Sequence, residues 1–307
     1  LALLLFFLGT ILTALANGQR EGWSSGFVLR LFALSAASVL AFVLWQLRCP
    51  TPLMRMEVFA NLRFSAGALV AFIFGAGIFG TLYLIPLFVQ SVLGYTATRA
   101  GELLMPSGLV MGIAFPIAGR LGDMISPRIP IVCGLVVFGF SNILFYWADA
   151  DTGFWAIAFW IILGRVGLSF IMPSLNAGAL SRLPPELLGQ GTGSINFVRQ
   201  LGGALGVGML SAYVDRRYAF HADAFASTQN AGNSSLAALR TQIEALLGRS
   251  GLPDTQLAGG TFDYMGKVIA AQANAASFND GFAIAGLVFA LAILPALIMR
   301  GRPHRHP

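Results

Sequence analysis

Residues 64–89 read FSAGALVAFIFGAGIFGTLYLIPLFV. A helix needs about 20 mainly apolar residues to cross the hydrocarbon core of a bilayer. This run exceeds that length and lacks the alternation of a barrel strand. It reads as a membrane-crossing helix, with Pro86 marking a kink of the kind such helices tolerate. Working outward, further apolar runs lie at 1–16, 27–46, 101–119, 130–148, 154–175, 191–214 and 281–299, with Pro106 and Pro116 in the fourth run and Pro173 in the sixth. The pattern predicts an all-α, polytopic membrane protein with about eight transmembrane helices.

Composition agrees. The 307 residues are 56% hydrophobic and 10% charged, and mean hydropathy is +0.75. A soluble fold would have too few charges to cover its surface, since soluble proteins carry roughly 25%. Lys+Arg is 19 against 13 Asp+Glu, a net charge of +6. The arginines are scattered between apolar runs and form no stripe with interleaved aromatics, which argues against nucleic-acid binding. Cys49 and Cys133 lack metal-ligand spacing, and His304 and His306 sit in a basic tail, so neither metal nor cofactor is expected.

Residue 1 is Leu and opens directly into an apolar run, without the charged region and cleavage site of a signal peptide. The sequence is therefore expected to be a piece of a longer protein. The turns that would face one side hold Arg20 and Arg99. The turns and tail on the other hold Arg48, Arg55, Arg63, Arg120, Arg128, Arg182, Arg300, Arg302 and Arg305, nine arginines against two. The positive-inside rule puts both ends in the cytoplasm. Residues 216–280 are too long a segment for their charges to count and fall outside, with helical spacing over Ser235–Leu247 and a sequon at Asn233. The segment from Pro52 to Phe64 suits the cytoplasmic interface, its apolar side in the lipid boundary and its arginines toward headgroups.

Polar side chains within apolar runs are functional candidates, because hydrocarbon makes them costly. Arg165 lies near the middle of the sixth run. Arg199 lies in the seventh with Asn196 at i−3, so both share a helix face. Gln90 and Asn176 close the third and sixth runs. Each reads either as part of a substrate pathway or gate, or as a hydrogen-bonded tie between helices. No Asp or Glu falls near the centre of any run, and Glu102, opening the fourth, is the nearest candidate proton site. Gly75-Ala76-Gly77-Ile78-Phe79-Gly80 matches a dinucleotide-binding pattern but has no preceding strand. Close helix approach explains it better, as it does Gly108-xxx-Gly112 and Gly202-xxx-Gly206. The loop from Gly119 to Arg128 places Arg120, Asp123 and Arg128 in a tight turn, where Asp123 could cap the next helix or pair with an arginine.

Gly119-Arg120-Leu121-x-Asp123-x-x-x-x-Arg128 resembles the cytoplasmic-loop signature of the major facilitator superfamily in its C-terminal-half copy. More narrowly, the chain resembles 14-span drug/proton antiporters of the EmrB/QacA type. The likeness runs through Pro52 to Phe64, Phe88 to Gly101 with Pro106, Arg165-Val166-Gly167, Gly191 to Gly202, and Gln272-Ala273 with Phe278-Asn279-Asp280-Gly281-Phe282.

The resemblance implies two extra helices over 1–46, a cytoplasmic interfacial linker over 47–63 and the C-terminal six-helix half over 64–300. Within that half, 216–280 would be a large periplasmic loop, and 301–307 a cytoplasmic tail. It implies export of amphipathic drugs in exchange for protons by alternating access, with Phe79, Tyr83, Gln90, Arg165, Asn176, Asn196 and Arg199 along the substrate pathway and Gly119, Arg120, Asp123 and Arg128 forming a gating loop. Expected partners are the bilayer of the bacterial inner membrane, the N-terminal half of the same chain and a periplasmic adaptor. The family's antiporter signature lies outside this chain. Glu102 departs from the usual apolar residue, and Ser126-Pro127 from the usual Gly. The alternative is a non-transporting scaffold or truncated remnant. A membrane enzyme is disfavoured, because no His/Asp/Glu cluster, paired carboxylates or G-x-S-x-G occurs in the spans.

Overall fold

The computed structural model describes residues 2–48, 56–181, 183–227, 234–249 and 253–299. Cys49, Arg55, Arg182, Asn233 and the tail with His304 and His306 lie outside them, as does the side chain of Asp123. The described chain is helical: α1 Ala2–Glu21, α2 Gly26–Arg48, α3 Leu62–Ser91, α4 Ala97–Met124, α5 Arg128–Tyr146, α6 Phe154–Leu180, α7 Leu188–Ser227, α8 Ser234–Arg249 and α9 Asp254–Ile298, with short 3-10 turns at Met56–Ala60 and Pro185–Leu187. Among the described residues, α2 to α6 and α9 are long and apolar enough to cross a membrane. The apolar part of α1 is the shorter Ala2–Gly18. α7 misses that measure because glycines, Asn196, Arg199 and Gln200 dilute its apolar face.

Local chemistry sets the ends. Asn61 Oδ1 accepts from the backbone N–H groups of Arg63 (3.0 Å) and Phe64 (3.4 Å), capping α3. Thr96 Oγ1 caps α4 by accepting from Arg99 N at 3.3 Å. Gly94, at φ +67°, takes the left-handed conformation in the α3–α4 turn that a side chain would resist. In the α5–α6 turn, Asp149 Oδ1 accepts from Asp151 N and from the Thr152 hydroxyl.

The segment 216–280 is more helical than the sequence reading expected: α8 covers Ser234–Arg249, where helical spacing was read over Ser235–Leu247, but α7 also continues past its apolar run to Ser227, and α9 starts at Asp254, well before its apolar run. A water-exposed helix lacks the dense apolar run used to find the spans. In the interfacial segment, Val58 is buried in the protein core and the Phe59 and Phe64 rings meet edge-on at 5.2 Å. Val58 and Phe59 thus pack with the start of α3.

The bundle is held by close crossings. A Cβ on Gly75 would strike the carbonyl of Arg199, and one on Gly202 the carbonyl of Phe72. One on Gly206 would stand 2.5 Å from Ala76 Cβ. α3 and α7 thus touch backbone to backbone, as small residues allow in membranes. Gly134 and Gly167 do the same for α5 and α6. Gly108 and Gly112, expected at such a crossing, have nothing within 4 Å, because α4 turns that face away from the other described helices. Phe88 packs edge-on against Phe145, Phe278 and Phe282, pinning α3, α5 and α9 at the expected outer end. α1 and α2 pair, and α1 reaches the bundle where Leu15 covers Gly208 of α7.

Gly202→Ala, which meets backbone rather than a yielding side chain, is expected to cost about 1–3 kcal/mol. Gly108→Ala, in open space, should cost nothing and gain up to about 1 kcal/mol of helix propensity. Thermal melting in detergent separates the two; equal melting of both variants would show that the crossing does not limit stability.

Candidate translocation surface

The α3–α7 crossing positions several of the polar residues singled out above. Arg199 Nη2 donates to Asn196 Oδ1 at 3.0 Å, the i, i+3 pair expected on one helix face. Arg199 Nε is buried and has no hydrogen-bond partner among the described residues. Phe79 lies directly over Gly203. One turn further, the Tyr83 hydroxyl and Ser211 Oγ are 3.1 Å apart, tying α3 to α7.

Two cavities open beside this crossing, both bounded by α3, α7 and α9. One, of about 240 Å³, is lined by Tyr83, Ser211, Asp215, Tyr218, Asn274 and Ser277 among apolar neighbours. The other, of about 250 Å³, is almost wholly apolar, with Phe72, Ile73, Met209, Ile284 and Val288 in its wall. A space with several polar groups in its wall and an apolar one along the same three helices could accept the two ends of an amphipathic molecule.

Arg165 lies elsewhere, inside the packing of α3, α5 and α6. It is buried, at 8% exposure, and borders a cavity of about 10 Å³ with Thr81, Ser141 and Asn142. Those neighbours spend their donors on the backbone: Thr81 on Gly77 O, Ser141 on Trp160 O and Asn142 on Phe138 O. Asn142 Oδ1 is buried with no partner among the described residues. The space is about that of one water. Arg165 thus faces neutral oxygens and has no carboxylate paired with it among the described residues.

The other candidates are dispersed. Gln90 is exposed and donates from Nε2 to Pro86 O at 3.0 Å. Asn176 is half-buried in α6, and Glu102 is exposed near the start of α4. The stretch from Gly119 is no tight turn: α4 runs to Met124, only Ile125–Pro127 turn, and Arg128 opens α5. Arg120 is exposed, Gly119 and Arg128 are half-buried, and Pro127 stands at the N-cap of α5. Gly122 lets α4 approach Ser174 of α6.

Sequence reasoning passed over Asn142, although an amide inside the 130–148 run was itself a signal. It also passed over Ser211, Tyr218, Asn274 and Ser277, which only the meeting of α7 with α9 brings together.

A family model described as Major Facilitator Superfamily matches residues 1–207. The chain is 27% identical to "Multidrug export protein EmrB" of Escherichia coli (strain K12) over 99% of its own length and 58% of that protein. It is 27% identical to "Fatty acid resistance protein FarB" of Neisseria gonorrhoeae over 100% and 59%. It is 31% identical to "Lincomycin resistance protein LmrB" of Listeria monocytogenes over 64% and 42%. The chain thus spans about half the length of the curated relatives it matches. Its fold is similar to that of a bacterial homologue of the human lysosomal transporter Spinster, in an inward-facing and occupied conformation (TM-score 0.55, 15% identity, 98% of this chain and 68% of that one).

A buried charge without a counter-charge is costly, and replacing it by an apolar side chain of similar length relieves that cost. Arg165→Met is expected to leave the melting temperature in detergent unchanged or to raise it. A fall equivalent to about 3–5 kcal/mol would instead reveal a broken charge pair.

Proposed function

This chain belongs to the Major Facilitator Superfamily, and on that premise we propose that it is the C-terminal portion of an exporter of amphipathic compounds, driven by proton antiport through alternating access. The observation that carries the substrate class is the pair of cavities beside the α3–α7 crossing, one with several polar groups in a mainly apolar wall and one almost wholly apolar. Amphipathic cargo suits walls that offer adaptable apolar contact and a few hydrogen-bonding groups. The names of the relatives, multidrug export, fatty acid resistance and lincomycin resistance, support an export reading.

In this reading Phe79 and Tyr83 from α3, and Asn196 and Arg199 from α7, border the pathway near the crossing, with Gln90 and Asn176 toward its two ends. Arg165 acts from behind α3 as a fixed positive charge. Glycine contacts without interlocking side chains let α7 shift against α3 as the halves rock. The α4–α5 connection from Gly119 to Arg128 serves as the gate, and Glu102 as a proton site. The N-terminal half completes the cavity. The protein sits in the bacterial inner membrane with both ends of this segment in the cytoplasm, so the helical extension of α7, α8 and α9 projects into the periplasm and meets an adaptor there.

Arg199→Ala in the full-length protein should cut proton-dependent dye efflux from membrane vesicles while leaving membrane insertion intact, since the guanidinium bonds on its own helix rather than holding two helices together. Unchanged efflux would remove Arg199 from the mechanism, and wild-type efflux insensitive to an uncoupler would remove proton antiport.

A further inference from the structure

Just beyond the apolar runs of α7 and α9, one carboxylate oxygen receives two basic groups. Asp280 Oδ2 accepts from Arg217 Nε at 2.5 Å and lies 2.7 Å from His221 Nε2. Atoms that close share a proton, so one sits between the imidazole and the carboxylate. Arg217 Nη2 is 3.3 Å from the same Nε2. Because Nε2 is already engaged with Asp280, the ring can gain charge only by taking a second proton at Nδ1. The His221 ring stacks on Phe225 with centroids 5.8 Å apart, and the Arg217 guanidinium lies 4.5 Å over Phe220. The three side chains are 18–30% exposed, reachable by water yet shielded from full screening.

α7 itself carries Asp215, Arg216, Tyr218 and Asp223 close in sequence to the cluster, and Tyr83 of α3 lines a cavity with Asp215 and Tyr218. α1, which packs on α7, ends in Arg20 and Glu21. Further out on α9, Lys267 and Asp263 pair with each other. The beginning of the α9 span is anchored separately, because Asn279 Nδ2 donates to Ala148 O at 3.1 Å. The Arg217–His221–Asp280 cluster therefore ties α7 to an α9 already held by the α5–α6 turn.

We propose that His221 is a proton-binding group and that its cluster with Arg217 and Asp280 is a proton-responsive clamp between α7 and α9. With a neutral ring, the tie consists of the Arg217 ion pair and a hydrogen bond from neutral imidazole. With a charged ring, that bond, already charge-assisted by the carboxylate, also becomes an ion pair, so Asp280 holds two cations instead of one. Proton binding tightens the clamp and deprotonation loosens it. The helical extension of α7 and α9 thus reads the pH on its side of the membrane. This deepens the proposed proton coupling, but the clamp can be tested without transport.

Nitroxide labels at the exposed Ser227 of α7 and Gln256 of α9, in full-length protein whose own cysteines are replaced, report the distance between the two helices. Imidazole changes charge across about pH 5–8. The distance distribution should narrow in wild type on passing from about pH 8 to about pH 6. His221→Gln keeps a hydrogen bond to Asp280 but cannot gain a charge, and it should show one distribution at both. A wild-type distribution that does not change with pH overturns the clamp, as does a His221→Gln protein that keeps the change. The wild-type measurement decides even if the variant does not fold. Absence of proton-driven efflux alongside a pH-dependent distance would count against the transport reading alone.

Discussion

The backbone contact between α3 and α7 is the constraint from which most of this architecture follows. Water cannot drive helices together inside lipid, so association rests on close packing and hydrogen bonds. At Gly75, Gly202 and Gly206 the two helices approach until no Cβ would fit. That approach seats Phe79 over Gly203, brings the Tyr83 hydroxyl to Ser211, and opens the two cavities where α9 comes alongside. α1 reaches the bundle through the same helix, at Gly208.

The price of polarity within the bundle is met locally. The hydroxyls of Thr81 and Ser169 return to carbonyls four residues earlier in their own helices, and Ser141 reaches across to α6. Arg165 borders a small cavity with Thr81, Ser141 and Asn142 and has no carboxylate paired with it among the described residues. Ionic ties gather where the helices meet water: Asp280 with Arg217 and His221 at the expected outer boundary, and Lys267 with Asp263 further out. The membrane interior is therefore positive or neutral in the described chain, and the carboxylates stand at the ends of the spans.

Much of the fold was legible in the sequence because its signals are local. Length and apolarity place α2 to α6. The shared face of Asn196 and Arg199 follows from helical period. Legibility failed where a helix leaves the apolar environment. The turns of α7 past residue 214 and of α9 before residue 281 carry no dense apolar run, so their helical length did not show. The stretch from Gly119 reads as a turn from its glycines and charges, although α4 continues to Met124. The glycines of α3 and α7 announce a close crossing, but an equal spacing at Gly108 and Gly112 meets open space.

What the sequence by itself determined is the material of the bundle: apolar helices of membrane-spanning length, their order, and the scarcity of charge within them. These depend on periodicity and composition, which act over a few turns. The tertiary structure alone decided which glycines carry crossings and that Asn142 stands beside Arg165. It also decided that Asp280 meets residues 59 and 63 positions earlier in the chain. Contacts of that kind depend on how helices rotate against one another, and no local pattern encodes that rotation.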